Sequence, residues 1–339
     1  YFETVPSNAF ERMLFLEADR MRGPRLTEEN LQNQIDVVKE EIRVNVLNRP
    51  YGGFPWLKLP PVMFDTFPNA HDGYGSFTDL EAATVSDAAE FFDRYYACGN
   101  ATVGVSGDFD LDEARQLIEK HFGDVPARPA PARPDFDEPD LTSERRQSYV
   151  DSLAPLPAVA AAWRIPNPIT NFTDYLPYVV LAEVLTDGDA SRLVERMVLK
   201  DRSVTSVGGY IGFMGEPFEV RDPTALLLQA HLPPQGSVDK VLATIDEELD
   251  RLANNGLAKG ELARTQARMA THLLRDTDAV LGRALRMAVL ELQRSNPALL
   301  NDLPHLIAEV TEEQIRQAVA AMRPQRRASI EVVPGGGQS

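Results

Sequence analysis

An α+β fold in two homologous domains, each a largely antiparallel sheet with helices packed on one face, is predicted by three features. These are the chain's length, its interleaving of strand-like and helix-like runs, and an internal repeat. At 339 residues the chain exceeds the ~100–200 residues of a typical domain. Hydrophobic residues at 43% let each domain bury its own core. In the second half, residues 158–163, 204–211 and 224–230 read as strands. Residues 178–185, 239–253 and 260–293 read as helices, the last interrupted near 275–278. The opening residues from Tyr1 also read as strand.

Helix starts are marked by capping pairs, in which a side-chain oxygen bonds an orphan N–H of the first turn. Thr84-x-x-Asp87 opens a helix through Tyr96, followed by a strand-like run over residues 101–107. Asp110-x-x-Glu113 opens a second that stops at Gly123. Thr311-x-x-Gln314 opens a third, followed by a strand over 328–333. The first and third are copies of each other. Thr84 falls on Thr311 and Ala101 on Ala328, a constant offset of 227. Farther upstream FLEADRMRGPRLTEENL matches DEELDRLANNGLAKGEL, Asp19 falling on Asp250 and Leu26 on Leu257, an offset of 231. By that offset Tyr1 corresponds to Leu232, well inside a second half that begins near Tyr149. The first domain is therefore expected to be shortened at its N-terminus, and the natural start, with any targeting signal, to have been removed or lost.

Residues 125–139, VPARPAPARPDFDEP, carry five prolines and no hydrophobic periodicity. They set the expected division: a first domain over 1–124, a linker over 125–147, a second domain over 148–333 and a glycine-rich disordered tail over 334–339.

The net charge of −17 argues against a nucleic-acid backbone or an anionic membrane surface as main partner. No apolar run approaches the ~18 residues of a membrane span. A single cysteine, Cys98, rules out an internal disulfide framework and a Cys-rich zinc site. The compartment stays open, the cytoplasm being favoured over periplasm or secretion.

The helix expected over residues 28–47, N-capped by Thr27, carries the most informative pattern. Leu31, Ile35, Val38 and Ile42 form one buried stripe. With Leu31 at zero, Glu40 lies at about 180°, facing solvent, and Glu41 at about 280°, on the stripe's flank. Gln34 lies at about 300° and Asn45 at about 320°, so Glu41 sits at the core boundary with Asn45 one turn away and Gln34 two. By itself this describes a solvated helix edge as well as a site.

The blocks YFETVPSNAFERMLFLEADRM, ENLQNQIDVVKEEIRVNVLNRPYG and GSFTDLEAATVSDAAEFFDRYYACGNATVGVSGDFD, in this order, resemble the M16 (insulinase, pitrilysin and mitochondrial processing peptidase) family of zinc metallopeptidases. The resemblance runs over residues 1–333 and implies a LuxS-like, M16-like fold. In that family one helix carries His-x-x-Glu-His, whose histidines bind zinc and whose glutamate is the general base. A later helix supplies a glutamate as third ligand, and the matching position here is Glu41, with Gln34 and Asn45 beside it. Two imidazoles and a carboxylate leave zinc an open position for water, whose pKa falls to about 7. The resemblance thus implies Zn2+, hydrolysis of extended peptides added as a strand to a sheet edge, and a homo- or heterodimer with another M16-like subunit.

This sequence departs from the pattern. It contains no His-x-x-Glu-His, and its five histidines, His71, His121, His231, His272 and His305, have no ligand-pair spacing. No catalytic residue is therefore assigned to the chain, which alone is expected to be inactive. Gln34 stands where many relatives carry an acid. Val198 and Thr205 fall where relatives or their partners place a substrate-holding Arg and Tyr, so the pair is expected on a partner subunit. In the second domain Val179, Ala182 and Glu183 occupy the positions of His, Glu and His, the mark of a non-catalytic domain. The rival expectation is accordingly a non-catalytic M16-like structural partner in a peptidase dimer.

Other candidates carry less chemistry. His71 in NAHDGYG reads as a turn residue, and His272, which aligns with Glu41, as helix surface. Trp56 is expected to anchor a loop on the domain body, Cys98 to be inert, and Gly188 and Gly208–Gly209 to be turn glycines. No G-x-x-x-x-G-K-[ST] phosphate loop is present.

Overall fold

The computed structural model describes residues 1–213 and 217–335. In chain order its helices are α1 (Phe10–Arg22), α2 (Glu28–Ile42), α3 (Pro60–Met63), α4 (Phe67–Ala70), α5 (Phe77–Ala82), α6 (Val85–Tyr95) and α7 (Leu111–Phe122). Then come α8 (Phe172–Thr186), α9 (Val238–Asn255), α10 (Glu261–Asp278), α11 (Val280–Arg294), α12 (Leu299–Glu309) and α13 (Glu312–Ala321). The strands are β1 (Arg145–Asp151), β2 (Ala158–Ile165), β3 (Ser206–Ile211), β4 (Thr224–His231) and β5 (Arg327–Pro334).

The chain divides into two compact units that are not contiguous in sequence. The first holds Tyr1–Glu40, Tyr74–Asp135 and Leu273–Leu300, and the second Glu41–Gly73, Phe136–His272 and Asn301–Ser339. The two transferred segments are counterparts under the repeat. Glu41 falls on His272 at the 231 offset, and Gly73 falls on Leu300 at the 227 offset. Each half of the chain thus contributes the stretch after its long second helix to the unit built mainly by the other half.

The second unit is organised by one sheet in the order β1-β5-β2-β4-β3. β1 runs parallel to β5, and every other pair is antiparallel. β2 (AVAAAWRI) and β4 (TALLLQAH) read as nearly unbroken apolar runs because both of their faces are covered. On one face α8 packs on β3 and β4 and α9 on β2, with α13 over both helices. α9 turns Val238, Val241, Leu242, Ile245, Leu249 and Leu252 inward at helical spacing. The other face is covered by residues 51–64. Phe54, Leu59, Val62, Met63 and Phe64 join Ala158, Ala160, Ala162, Leu227 and Ile330 in one core. Tyr51 starts this cover in the left-handed region (φ 59°). Its N–H donates to Asp151 Oδ2 at 2.8 Å and its hydroxyl to the Leu156 carbonyl at 2.9 Å. Half-buried Trp56 lies in the same segment, between buried Phe54 and Leu59.

The first unit is helical among its described residues. α1 packs against α7, with Phe10 and Phe109 stacked 5.9 Å apart. Lys39 at the end of α2 pairs with Glu81 at 2.6 Å and lies over the Phe77 ring.

The structure corrects several sequence expectations. Residues 1–5 form no strand, and the chain enters α1 through a 3-10 turn at Ser7–Ala9. Residues 101–107 are also not in a sheet, because no strand lies beside them among the described residues. The expected helix 178–185 starts earlier, at Phe172, and runs through Pro177. Burial of Tyr175, Leu176 and Tyr178 outweighs the lost backbone bond. The helix 260–293 breaks at Ala279 (ψ 135°), just after the predicted interruption. Gly208 and Gly209 lie inside β3 rather than in a turn. A Cβ on Gly209 would stand 2.7 Å from Leu228 Cδ2 and 2.9 Å from Thr186 Oγ1, so the close approach of α8 and β4 requires glycine. β1 takes up the last three positions of the expected linker. Glu138, farther up, is no free spacer: its carboxylate accepts from the backbone N–H groups of Asp65 and Thr66 at 2.9 and 3.0 Å. Of the expected disordered tail, Pro334 pairs with Asp151 at the end of β5, and Gly335 N donates to the Asp151 carbonyl at 2.8 Å. Residues 336–339 lie outside the described residues.

Candidate functional site

α2 begins as its cap residue dictates. Thr27 Oγ1 accepts from Asn30 N at 3.1 Å, and the Thr27 carbonyl accepts from Leu31 N at 2.9 Å. Ile35 and Ile42 are buried, and Leu31 and Val38 half-buried, so the predicted stripe is the packed face. Glu41 lies at the last turn of α2 with its side chain in solvent, as are Gln34 and Glu40. The helix does not run on as α to Leu47. Arg43–Leu47 form a π turn closed by Asn48 N donating to the Arg43 carbonyl at 2.7 Å. Asn45 therefore lies in a wider turn, where 100° per residue no longer gives its azimuth. Val37, Val44 and Leu47 are exposed beside Glu41. The carboxylate thus stands on an apolar helix flank rather than at a packed core boundary.

Among the described residues no group of three or more His, Cys, Asp or Glu is placed to hold a metal. The histidines are spread through the fold. His71 Nδ1 stands 2.9 Å from the Phe67 carbonyl with its ring stacked on Phe67, and His121 pairs with Glu11 at 3.3 Å. His305 pairs with Glu309 at 3.2 Å, and His272 is exposed on α10. Zinc in an open peptidase site needs three protein ligands; the described residues bring no such set together, so the donors present do not fit the ion.

The α8 positions matching His, Glu and His are filled by packing residues. Val179 and Ala182 are buried, Glu183 is half-buried, and α8 as a whole is apolar on nearly every side. Val198 lies in a second π turn, Val194–Lys200, and Thr205 donates through N and Oγ1 to the His231 carbonyl, at 2.8 and 3.1 Å. Neither supplies a guanidinium or a phenol. The edge strand beside them, β3, pairs only with β4 among the described residues and carries Gly208 and Gly209.

Sequence reasoning passed over His231. It ends β4 opposite Ser206, with Ser206 Oγ and His231 Nδ1 3.2 Å apart. The Tyr51 ring meets it edge-on with centroids 4.8 Å apart. Burial lowers its pKa below the usual histidine value of 6.5. Only its position at the end of an apolar run marked it in the sequence, and many histidines occupy such positions.

The sequence pattern of the family described as Peptidase M16 inactive domain matches residues 82–269. The chain belongs to the M16 peptidase family. The zinc protease PqqE of Helicobacter pylori (strain ATCC 700392 / 26695) is 24% identical over 267 residues, covering 77% of this chain and 57% of that protein. The M16 chain described here therefore spans little more than half the length of that relative. Solved structures share its fold. A protease from Helicobacter pylori superposes with a TM-score of 0.86 at 18% identity, over 97% of this chain and 78% of the other. A peptidase M16 inactive domain from Pseudomonas fluorescens gives 0.76 at 17% identity, over 98% and 77%. The periplasmic protease PqqL from Escherichia coli gives 0.73 at 15%, over 98% of this chain and 37% of that one. These bear out the α+β, M16-like fold. No helix among the described residues is long and apolar enough to cross a membrane.

Proposed function

We propose that this chain is a non-catalytic M16-like subunit, a folded frame for an extended peptide in a peptidase whose metal-binding histidines are held elsewhere. The observation that carries the reading is α8: Val179 and Ala182 are core residues where a zinc helix needs ligands and a base. The outer edge of β3 suits peptide capture, since an extended segment can take its unpaired backbone groups as a further ladder. An M16-like partner subunit would supply the Arg and Tyr that Val198 and Thr205 do not. Purified chain, metal-loaded with zinc and dialysed, is expected to retain no stoichiometric zinc and to leave fluorogenic extended peptides intact, while still binding them. Stoichiometric zinc with chelator-sensitive cleavage by the chain alone overturns the proposal.

A second reading, a zinc metalloendopeptidase subunit, is favoured by one feature: Glu41 stands in solvent at an α-to-π junction, a kind of bulge frequent at functional sites. In that reading Glu41 lends one zinc ligand once two imidazoles are joined to it, with Gln34 and Asn45 as polar neighbours. Zinc content of the natural gene product with and without Glu41→Gln tests it. Unchanged stoichiometric zinc in the variant removes Glu41 from any metal site.

A further inference from the structure

Two adjacent glycines occupy the middle of β3, and the fold explains only one of them. Successive residues of a strand face opposite ways. Gly209 looks toward Thr186 of α8, and Gly208 toward the face covered by residues 51–64, which it shares with Tyr210. A Cβ on Gly209 would press into Leu228 and Thr186, whereas a Cβ on Gly208 would meet nothing within 4 Å. Neither glycine takes a left-handed φ, so backbone conformation does not demand Gly208 either. Glycine inside a strand loses more chain entropy than other residues and leaves a gap where a side chain would pack. Gly208 therefore weakens β3 without a packing or backbone reason inside the fold.

The gap over Gly208 has defined neighbours. Ser206 and Tyr210 flank it on the same face, and the ladder sets Ser206 opposite His231, Gly208 opposite Gln229 and Tyr210 opposite Leu227. Tyr210 packs against the core that holds Phe64 and Leu227. At the other end the Tyr51 ring holds His231, with centroids 4.8 Å apart. Aromatic rings thus stand at both ends of the gap along the strand, and half-buried Gln229 lies on its inner side. The remaining side is the outer edge of β3, which pairs with no further strand among the described residues.

We infer that Gly208 is a specificity-determining position, an open notch that takes an aromatic side chain from an extended peptide paired with β3. The inference rests on the reading of β3 as a capture edge and adds the class of residue captured. In an added strand the side chain opposite Gly208 begins about 4.5–5.5 Å away on the same face, near enough for a planar ring to lie over the missing side chain. Aromatic neighbours across a ladder offset the weakness of glycines at sheet edges. Ring contact with Tyr210 adds to the fit, and a side chain as small as alanine leaves the gap unfilled.

Fluorescence anisotropy with labelled twelve-residue Ser/Thr peptides, each carrying one central Phe or one central Ala, tests it on the purified chain. The Phe peptide is expected to bind about fivefold more tightly than the Ala peptide. Gly208→Val, which fills the notch, is expected to abolish that preference while the Ala peptide still binds. Gly208→Ala is expected to melt at or above the parent temperature, because its methyl group enters open space. Equal affinity of the parent for the two peptides overturns the inference and leaves capture by β3 standing. A Phe preference that survives Gly208→Val overturns it as well, since the ring then binds elsewhere. So does a lowered melting temperature in Gly208→Ala, which would make the glycine a requirement of the fold. Binding of neither peptide removes capture by β3 itself, and the inference with it.

Discussion

Thr84 and Thr311 close the same reciprocal cap at the same place in the two halves of the chain. Thr84 Oγ1 accepts from Asp87 N at 3.2 Å, and Asp87 Oδ2 accepts from Thr84 N at 2.9 Å. Thr311 Oγ1 accepts from Gln314 N at 3.3 Å, and Gln314 Oε1 accepts from Thr311 N at 2.9 Å. The geometry is shared and the charge is not, which gives the two caps different responses to acid.

Replacing either threonine by alanine is expected to cost about 1 kcal/mol. Asp87 is held below its ordinary 3.8 first by the Thr84 hydroxyl and then by the Thr84 backbone. A depressed carboxylate contributes stability above its unfolded pKa and loses it as pH falls through the folded value. The penalty of Thr84→Ala should therefore shrink below pH 3.8, whereas that of Thr311→Ala, whose partner is a neutral amide, should not. Urea melts of both variants at pH 7 and in acid decide it; equal acid sensitivity would count against the Asp87 account.

These caps were legible because they are local. Side-chain oxygen and N–H lie three residues apart, and the same pairs placed α6, α7 and α13 within a residue. β2 and β4 were legible because burial on both faces leaves a nearly pure apolar run. The misreadings share the opposite cause. Whether residues 101–107 become a strand depends on what lies beside them, and alternation alone does not supply a neighbour. The π turn after Ile42 has no local signature in RVNVL, so the wheel that located Glu41 failed four residues later at Asn45. Nor could proline content reveal that Glu138 is pinned by Asp65 and Thr66, more than seventy residues away.

Leu59 supplies a test of the cover formed by residues 51–64. It is fully buried and packs in one core with Leu227 of β4, although it comes from the first half of the sequence. If the segment is core rather than loop, Leu59→Ala should destabilise as Leu227→Ala does, by about 2–5 kcal/mol each. A loss under about 1 kcal/mol for Leu59→Ala, well below the cavity range, would show the segment to be a dispensable cover.

Arg327 is buried at the start of β5, between Glu144 (Nη2 to Oε1 2.7 Å) and Asp246 (Nη1 to Oδ1 2.8 Å). Burial raises the Asp246 pKa above 3.8, and the Arg327 charge opposes the rise. Arg327→Met removes the opposing charge and strands Asp246, a loss expected near 3–5 kcal/mol at pH 7. The sign in pH follows from the raised carboxyl, which favours the folded state when protonated. The deficit should narrow as pH falls below the variant's Asp246 pKa, and Asp246→Asn added to Arg327→Met should recover much of it at pH 7. No recovery in the double variant would mean that Arg327 acts through packing on Trp163, whose ring lies 5.8 Å from the guanidinium.

His231 should set a stability step at mildly acidic pH. Its ring is packed against Tyr51 and Phe54, with Ser206 Oγ at 3.2 Å from Nδ1. Desolvation lowers its pKa from 6.5, so the unfolded chain takes up the proton first. The neutral ring's contribution is complete above pH 6.5 and falls away as pH drops through the lower, folded value. Tyr51 anchors residues 51–64 over the sheet, so loosening there should register in Trp56 fluorescence before global unfolding. His231→Gln, which cannot titrate, should flatten the dependence of melting temperature on pH just below 6.5. Variant and parent curves that stay parallel across that window would assign the step to carboxylates instead.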